Sequence, residues 1–194
     1  RVQGRMVYCI EDGARLGPEA REPAGYRHGA HFHPRAFIFD PVTRFEFRPD
    51  GELLHFAVGG LLWREEADGP RYCLFRRRMH PTGYYTLPAG HLERGETPDL
   101  TLRREVYEET GLAVLSAELL FEGELPDDCR RGADYHHWHA YLCRCIGEPA
   151  LCNESDIVGW YTRGEILHDL PLTYPTGVIC ERLFGEWPGR VRGR

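Results

Sequence analysis

Apolar residues of this chain fall into short runs that predict strands and into three segments whose spacing predicts helices. Runs rich in β-branched and aromatic residues, bounded by Gly, Pro, Asn or Asp, are typical of strands. Such runs occupy residues 53–63, 71–76, 84–87, 114–122, 136–145 and 157–162. Helical signals occupy residues 98–110, 163–168 and 174–183. Strands mixed with a few helices, without regular alternation, favour an α+β or a layered α/β/α domain.

The first fifty residues follow a different pattern. Residues 11–36 are rich in Gly and Pro and have little periodicity, which predicts an irregular arm. Residues 36–39 and 44–47 predict short strands and therefore a small β appendage. The expected division of the chain is an N-terminal extension over 1–52, a main domain over 53–186 and a basic tail over 187–194.

The composition limits the number of domains and the classes of partner. With 194 residues and 42% hydrophobic content, the chain can bury one substantial core. A net charge of −6 disfavours bulk nucleic acid as a partner, because proteins of that class usually carry a basic surface. A small anionic ligand bound by local arginines is compatible with this charge. No run of about 18 apolar residues is present, so we expect no membrane partner and a cytoplasmic location.

The absence of lysine and the spacing of the cysteines exclude or disfavour several kinds of catalytic and metal site. All 24 basic residues are Arg, which excludes Schiff-base chemistry and a Lys-containing phosphate loop because both need a primary amine. The seven cysteines include no C-x-x-C pair, so we expect reduced thiols. Cys143, Cys145 and Cys152 come nearest to a zinc motif, and their spacing disfavours that interpretation.

Residues 98–110 carry the clearest helix signals in the chain. Thr97 can cap the helix, Pro98 suits its first turn, and Gly111 can take the left-handed conformation that ends it. Both ends of the helix are therefore specified by the local sequence.

Three carboxylates meet on one flank of this predicted helix. Glu105, Glu108 and Glu109 stand at i, i+3 and i+4, and like charges at this spacing destabilise a helix by about 0.2–0.5 kcal/mol per pair. A divalent cation between them is the simplest compensation, and oxygen ligands favour Mg²⁺ or Mn²⁺. A solvated acidic face without a metal explains the triplet alone equally well.

A glycine-rich turn over residues 87–96 leads into the helix and favours the metal site. Gly90 can present its backbone carbonyl to a cation, and Gly95 allows a tight loop. Glu96 and Arg104 can form an ion pair that acts as a structural brace between the loop and the helix. Such groups hold the ligands of metal sites in place.

Residues 90–112 resemble the Nudix box, whose pattern is G-x5-E-x7-R-E-U-x-E-E-x-G-U with U aliphatic. The chain matches it at nine specified positions within twenty-three residues, which makes the resemblance specific. The matching residues are Gly90, Glu96, Arg104, Glu105, Val106, Glu108, Glu109, Gly111 and Leu112.

The resemblance to Nudix hydrolases implies a fold, a cofactor and a reaction. The fold is an α/β/α sandwich with a mixed sheet, which the resemblance covers from about residue 53 to residue 183. Glu105, Glu108 and Glu109 are implied to be catalytic metal ligands, with the Gly90 carbonyl as a further ligand. The implied cofactor is Mg²⁺, with Mn²⁺ as a substitute. The implied reaction is attack of water on a pyrophosphate whose oxygens the cation polarises.

The residue that activates the water is left open. In some family members it is a glutamate of the box, and in others a glutamate on a distant loop. Glu154, six residues before Trp160, resembles that loop glutamate, and Asp156 is the alternative. Both residues are equally explained as ordinary loop carboxylates.

Substrate contacts are predicted from residues near the box. Arg76 and Arg78, with Arg77 between them, are candidates for binding phosphates, and at least one of the three is expected to face solvent. Glu93 and Tyr174 complete the predicted substrate-binding set. Further aromatic candidates for stacking a base, with core packing as the alternative, are Tyr84, Tyr85 and Trp138.

Histidines cluster around Trp138. Strand alternation puts His137 and His139 on one face and His136 with Trp138 on the other. This arrangement favours a pocket wall or a half-buried strand over a zinc site. The same interpretation applies to the histidines of the N-terminal arm, which are His28, His31 and His33.

The box does not select the substrate. The broadest expectation is cleavage of a nucleoside diphosphate linked to another group, as in a nucleoside triphosphate or a nucleotide sugar. One alternative is an ADP-ribose pyrophosphatase, which the N-terminal extension and the approximate position of Pro126 resemble. Another is a Nudix-fold module that senses a nucleotide without cutting it, but such modules typically lose box carboxylates that this chain keeps. The expected partner is a small nucleotide, and a homodimer is left open.

Overall fold

The computed structural model describes residues 42–50, 52–127, 129, 131 and 133–192, together with the backbone of five short strands before residue 40. The strands and helices, in chain order, are β1 (Met6–Cys9), β2 (Arg15–Gly17), β3 (Tyr26–His28), β4 (His31–His33), β5 (Ala36–Phe39), β6 (Phe45–Phe47), β7 (Leu53–Glu66), β8 (Gly69–Arg77), β9 (Tyr85–Thr86), β10 (Ala89–His91), α1 (Pro98–Thr110), β11 (Ala113–Pro126), β12 (Tyr135–Ile146), β13 (Ser155–Tyr161), α2 (Arg163–His168) and α3 (Tyr174–Phe184).

One mixed sheet forms the centre of the fold. Its strands follow the order β11-β12-β7-β8-β13, and β12 pairs with β7 in parallel while the other pairs on this path are antiparallel. The long strand β7 pairs along its second edge with β6, then β10, then β8. This register brings Gly90 beside Val58 and His136 beside His55. Strand β7 therefore gathers residues from distant parts of the chain.

Strand alternation divides β7 into two apolar faces. Ala57 and Leu61 pack in a core with residues of α2 and α3, whereas Val58 and Leu62 pack in a second core with residues of α1. Leu61 and Leu62 are fully buried, and burial of one such side chain stabilises the fold by about 1.5–3 kcal/mol. Helices thus cover both faces of the sheet, which confirms the predicted α/β/α sandwich.

The helices begin and end where their capping residues predict. α1 and α2 have the predicted bounds, and α3 ends one residue later than predicted. Thr162 and Glu165 form a reciprocal capping box at the start of α2. Gly111 and Gly185 end α1 and α3 with φ angles of 72° and 70°, which only glycine adopts at low cost. No helix within the described ranges is long and apolar enough to cross a membrane.

The strands differ more from their predicted bounds than the helices do. β11 runs to Pro126 instead of residue 122, because its ladder with β12 continues to Tyr135. The turn between β7 and β8 comprises residues 67–68 only and is followed by Gly69 with φ of 117°. β10 lies within the segment predicted as a turn, since its pairing with β7 depends on tertiary contacts that local sequence does not encode.

The N-terminal region contains more strand than the sequence predicts. β1, β2 and β5 form a sheet, and β3 pairs with β4 in a hairpin. β2, β3 and β4 lie within residues 11–36, where an irregular arm is predicted, and these short antiparallel strands fit the predicted mixed β and irregular extension. The side chains of His28, His31 and His33 lie outside the described residues, so the interpretation of those histidines stays a prediction.

Residues that follow α3 pack back onto the domain. The amide of Gly189 donates to the Leu167 carbonyl at 2.8 Å, and the amide of Arg192 donates to the Leu172 carbonyl at 2.9 Å. Val191 lies against Gly177 of α3 so closely that a Cβ at residue 177 would displace it. The boundary predicted at residue 186 stays a prediction, and residues 189–192 share backbone hydrogen bonds with the main domain.

Candidate active site

Helix α1 presents its glutamates from a firmly anchored position. Its N-cap Thr97 accepts a hydrogen bond from the Leu100 amide, and the Gly111 amide donates to the Tyr107 carbonyl. The buried face of the helix packs into the core beneath the sheet. We call α1 together with its three glutamates, Glu105, Glu108 and Glu109, the carboxylate helix.

Gly90 touches the first of these glutamates. It lies on β10, and a Cβ built at this position would overlap the carboxylate of Glu105. Only glycine therefore lets the backbone of β10 approach α1 this closely. The backbone of Gly90 and the carboxylate of Glu105 are brought side by side, as the predicted ligand set requires.

Arg104 is the centre of the predicted brace and makes more contacts than the sequence indicated. It donates two hydrogen bonds to Glu96, at 3.0 and 2.9 Å, and a third to the His91 carbonyl at 3.3 Å. Its guanidinium also lies 2.6 Å from Glu105 and 3.4 Å from Glu108. Arg104 thus joins the loop to the helix and offsets part of the repulsion between the glutamates.

Burial and charge separate the pKa values of the site carboxylates. Burial raises the pKa of Glu105 and raises that of Glu109 well above its ordinary value. The hydrogen bonds from Arg104 lower the pKa of Glu96 to about 2. Glu96 is therefore a stable anion, whereas partial burial disfavours the charged forms of Glu105 and Glu109, an effect that a bound cation would offset.

The glutamates of the carboxylate helix do not meet at a single point. Glu109 accepts a hydrogen bond from the Ala89 amide at 2.7 Å, while Glu105 and Glu108 turn toward Arg104. Within the described ranges, two groups of His, Cys, Asp and Glu have ligand atoms that all lie within 4.8 Å of one another, and the helix glutamates belong to neither. Arg104 therefore supplies positive charge beside Glu105 and Glu108, where a divalent cation is predicted as the simplest compensation.

The carboxylate helix opens onto a cleft of about 900 Å³. Glu154 lies in this cleft and is close enough to Glu109 to help raise the pKa of that carboxyl. Several other residues proposed from the sequence also line the cleft, and they are Gly90, Glu93, Arg104, Trp138 and Tyr174. A volume of this size is usual for a site that binds a small molecule.

The three consecutive arginines have separate positions. Arg77 lines the cleft, and its buried Nε has no hydrogen-bond partner within the described part of the chain. Arg76 instead forms two hydrogen bonds with Asp156, at 2.9 and 2.8 Å, and Arg78 is exposed. The structure does not bring Arg76, Arg78 or Asp156 to the cleft, so their predicted roles stay predictions.

The histidines of β12 alternate between the two faces of the sheet as predicted. His136 and Trp138 line the cleft. His137 and His139 lie on the opposite face, where their Nε2 atoms are 3.4 and 3.5 Å from Glu122. The predicted alternation is present, and of the two interpretations left open the pocket wall describes the face of His136 and Trp138.

A second group of metal-ligating side chains lies in the same cleft and was not anticipated from the sequence. His55, His91, Cys129 and His136, which we call the histidine–cysteine cluster, have ligand atoms within 4.8 Å of one another. Burial lowers the pKa of His91 well below its ordinary value. The four residues belong to different elements, so no spacing in the sequence reveals the group. The candidate thiols Cys143, Cys145 and Cys152 do not take part in it.

Comparison with known proteins gives consistent results. The model of the NUDIX domain family matches residues 53–177. An NAD-capped RNA hydrolase of Macaca fascicularis is 47% identical over 136 residues, which cover 62% of this chain and 27% of that protein. A MutT-like protein of Streptomyces ambofaciens is 30% identical over 135 residues, which cover 68% of this chain and 79% of that protein.

A solved structure supports the same fold. The crystal structure of a MutT NUDIX hydrolase from Burkholderia pseudomallei superposes with a TM-score of 0.58 at 25% sequence identity, covering 67% of this chain and 98% of that one. The chain spans only about a quarter of the length of the NAD-capped RNA hydrolase that it matches.

Proposed function

The chain belongs to the Nudix family, and on that premise we propose that it hydrolyses a phosphoanhydride bond in a small nucleotide. The proposed substrate is a nucleoside diphosphate linked to a further group, as in a nucleoside triphosphate or a nucleotide sugar. One observation carries the proposal: the carboxylate helix, Glu154 and Arg77 open onto the same cleft. Ligands for a cation, a candidate base and a candidate phosphate contact are thus available to one bound molecule.

Mg²⁺ is the proposed cofactor, with Mn²⁺ as a substitute. The ligands would be the carboxylates of Glu105, Glu108 and Glu109 and the carbonyl of Gly90. Three observations fit a hard cation: the donors are all oxygen, residue 90 has no room for a side chain beside Glu105, and burial raises the pKa of Glu105 and Glu109. When bound, the ion neutralises charge on the phosphoryl oxygens.

Arg77 and the aromatic residues of the cleft are proposed to bind the substrate. The buried Nε of Arg77 and the indole Nε1 of Trp138 have no hydrogen-bond partner within the described residues, and both side chains line the cleft. Arginine can bind phosphate oxygens with two parallel hydrogen bonds. Tyr174, also in the cleft, offers a ring for stacking a base.

Glu154 is the proposed base. It reaches the cleft from the loop before β13 and is separate in sequence from the carboxylate helix, so it can take a proton from the attacking water while the helix glutamates hold the cation. Asp156 is the weaker candidate because Arg76 binds both of its oxygens. Glu109 is the second candidate, since its raised pKa suits a group that accepts a proton.

A dinucleotide is the second candidate substrate. The name of the Macaca fascicularis relative, an NAD-capped RNA hydrolase, adds NAD to the substrates worth testing, and ADP-ribose shares its pyrophosphate linkage. Both contain a nucleoside diphosphate joined to another group, so both fall within the proposed class. The same residues of the cleft would act on either of them.

A substrate screen with mass detection of the products tests the proposal. The protein is incubated with Mg²⁺ and a panel of nucleoside triphosphates, nucleotide sugars, ADP-ribose, NAD and dinucleoside polyphosphates. The expected result is cleavage of at least one compound into two phosphate-terminated products, and loss of that cleavage with excess chelator. Binding of a nucleotide without any cleavage would contradict the proposal and support a sensing module instead.

A further inference from the structure

The histidine–cysteine cluster has the chemistry of a transition-metal site rather than of a magnesium site. Three imidazoles and one thiol converge in it, and their ligand atoms lie within 4.8 Å of one another. Imidazole and thiolate ligands bind Zn²⁺ and similar ions, whereas Mg²⁺ prefers oxygen. The cluster shares no side chain with the carboxylate helix, so it is a separate group of ligands.

Two distances within the cluster agree with tetrahedral coordination. Zinc bonds are about 2.0–2.1 Å long to nitrogen and about 2.3 Å long to sulfur. At tetrahedral angles, two nitrogen ligands are then about 3.3 Å apart, and a nitrogen and a sulfur ligand are about 3.5 Å apart. The Nε2 atoms of His91 and His136 are 3.2 Å apart. The Sγ of Cys129 is 3.5 Å from Nδ1 of His55.

The fold holds these ligands from several directions. His55 lies on β7, His136 is its direct neighbour on β12, and His91 lies on β10 at the other edge of β7. Cys129 belongs to the connection between β11 and β12, where its amide donates to the Ala133 carbonyl at 2.9 Å. The three strands thus fix the imidazoles, and the connection brings the thiol over them.

The surroundings also suit a bound ion. Asp127 Oδ2 lies 3.8 Å from Nδ1 of His136, the ring nitrogen that does not face His91. A carboxylate on the far side of a ligating imidazole is the usual arrangement around protein metal sites. His91, Cys129 and His136 line the cleft, so an ion has a route from solvent.

We propose that His55, His91, Cys129 and His136 bind one zinc-type transition-metal ion, which fastens the connection between β11 and β12 to the sheet and forms part of the cleft wall. Four protein ligands around one ion are typical of a structural site. The proposal needs no hydrolase activity, so it stands or falls independently of the proposed function.

Titration of the metal-free 194-residue chain with Co²⁺ tests the proposal. The expected result is the visible absorption of tetrahedral cobalt together with a thiolate-to-cobalt charge-transfer band, and both signals are expected to saturate at one Co²⁺ ion per chain. Zn²⁺ is expected to abolish both signals, and a large excess of Mg²⁺ is expected to leave them unchanged. Co²⁺ bound only to glutamate oxygens gives no thiolate band, so the two groups of ligands are distinguished.

Matched variants locate the ion. Cys129→Ser is expected to remove the charge-transfer band and to weaken Co²⁺ binding. Loss of a group that only supports a ligand weakens binding by about 10–100-fold, and we expect a larger effect here because a ligand itself is lost. Cys152→Ser, which changes another half-buried cysteine outside the cluster, is expected to keep the band. His139→Gln is the second control because His137, His139 and Glu122 form the other group of closely spaced ligands, and it too is expected to keep the band.

Three results of the cobalt experiments would refute the assignment of the four ligands. Absence of a charge-transfer band in the parent protein, its survival in Cys129→Ser, or its loss in either control would each refute the assignment. If Cys129→Ser does not fold, alkylation of the parent protein followed by peptide mass spectrometry replaces it. Zn²⁺ is then expected to protect Cys129 and Mg²⁺ is not, and equal labelling of Cys129 with and without Zn²⁺ would refute the site.

Discussion

Two groups of ligands share one cleft and differ in both chemistry and origin. The carboxylate helix offers oxygen atoms from a single turn of α1 and depends on Arg104 to offset its negative charge. The histidine–cysteine cluster offers nitrogen and sulfur from four elements and contains no carboxylate ligand. The first group suits a hard cation and a phosphate substrate, whereas the second suits a softer ion and a structural role.

The two groups of ligands also differ in how their ligand atoms are arranged. The carboxylates are spread along Arg104 and the Ala89 amide, so a cation must draw them together. In the histidine–cysteine cluster, the contact between His91 and His136 and the contact between His55 and Cys129 already have lengths that a tetrahedral ion requires. We therefore expect the first site to be labile and to depend on added metal, and the second to retain its ion.

The largest expected effect follows removal of one charge from the carboxylate helix. Glu109→Gln is expected to lower kcat by about 100- to 1,000-fold, because it removes the charge of a proposed ligand of the cation without changing core volume. The measurement is steady-state turnover of the substrate found in the screen. Glu118→Gln, a change at an exposed position of β11, is the control and is expected to leave kcat unchanged.

The same variant also tests whether the two groups of ligands are independent. Glu109→Gln is expected to keep the thiolate-to-cobalt band of the histidine–cysteine cluster. Parent-like turnover in Glu109→Gln would refute its role in catalysis. Loss of the cobalt band in that variant would show that the two sites are not separate.

A smaller effect is expected from the close contact between β10 and α1. Gly90→Ala places a methyl group against the Glu105 carboxylate and is expected to lower kcat by about 10- to 100-fold through displacement of that carboxylate. Gly164→Ala is the matched control, because a Cβ there meets only one atom, at 3.9 Å. A kcat for Gly90→Ala equal to that of the control would show that the contact is not needed for turnover.

The smallest effect concerns stability and its dependence on pH. The pKa of Glu96 is about 2 in the folded protein against an ordinary value of 4.5, so the ionised form is favoured by folding. Its contribution is complete above pH 4.5 and is lost as the pH falls toward 2. Glu96→Gln is therefore expected to lower the free energy of unfolding by about 1–3 kcal/mol at pH 7, with a smaller deficit at pH 3.

Urea unfolding at several pH values measures this dependence. The parent protein and Glu96→Gln are compared at pH 7, 4.5 and 3, with Glu118→Gln as a control whose deficit is expected to stay small at every pH. A deficit for Glu96→Gln that is constant across this range would contradict the assignment of its low pKa to Arg104.

Local sequence signals predicted the helices and the carboxylate helix well, because caps and short spacings act within a few residues. Thr97, Pro98 and Gly111 set the ends of α1, and the i, i+3, i+4 spacing sets its acidic flank. The brace between Glu96 and Arg104 was predictable for the same reason, since both residues lie within the box.

Contacts between distant segments were not predictable in this way. Gly90 and His91 form a strand only because β7 offers an edge to pair with. His55 and Cys129 meet because β7 and β12 pair in parallel register and the connection before β12 closes over them. Arg77 lines the cleft, whereas its neighbour on β8, Arg76, forms an ion pair with Asp156, which lies 80 residues away in the sequence.

In the proposed reaction, residues of this cleft direct water onto a phosphorus atom of a nucleotide. The most direct test is to run the reaction in water enriched in ¹⁸O, with Mg²⁺ and the best substrate of the screen, and to measure the masses of both products. We expect one ¹⁸O atom in one phosphate-containing product and none in the other. Products without ¹⁸O, or nucleotide binding with no products, would contradict it.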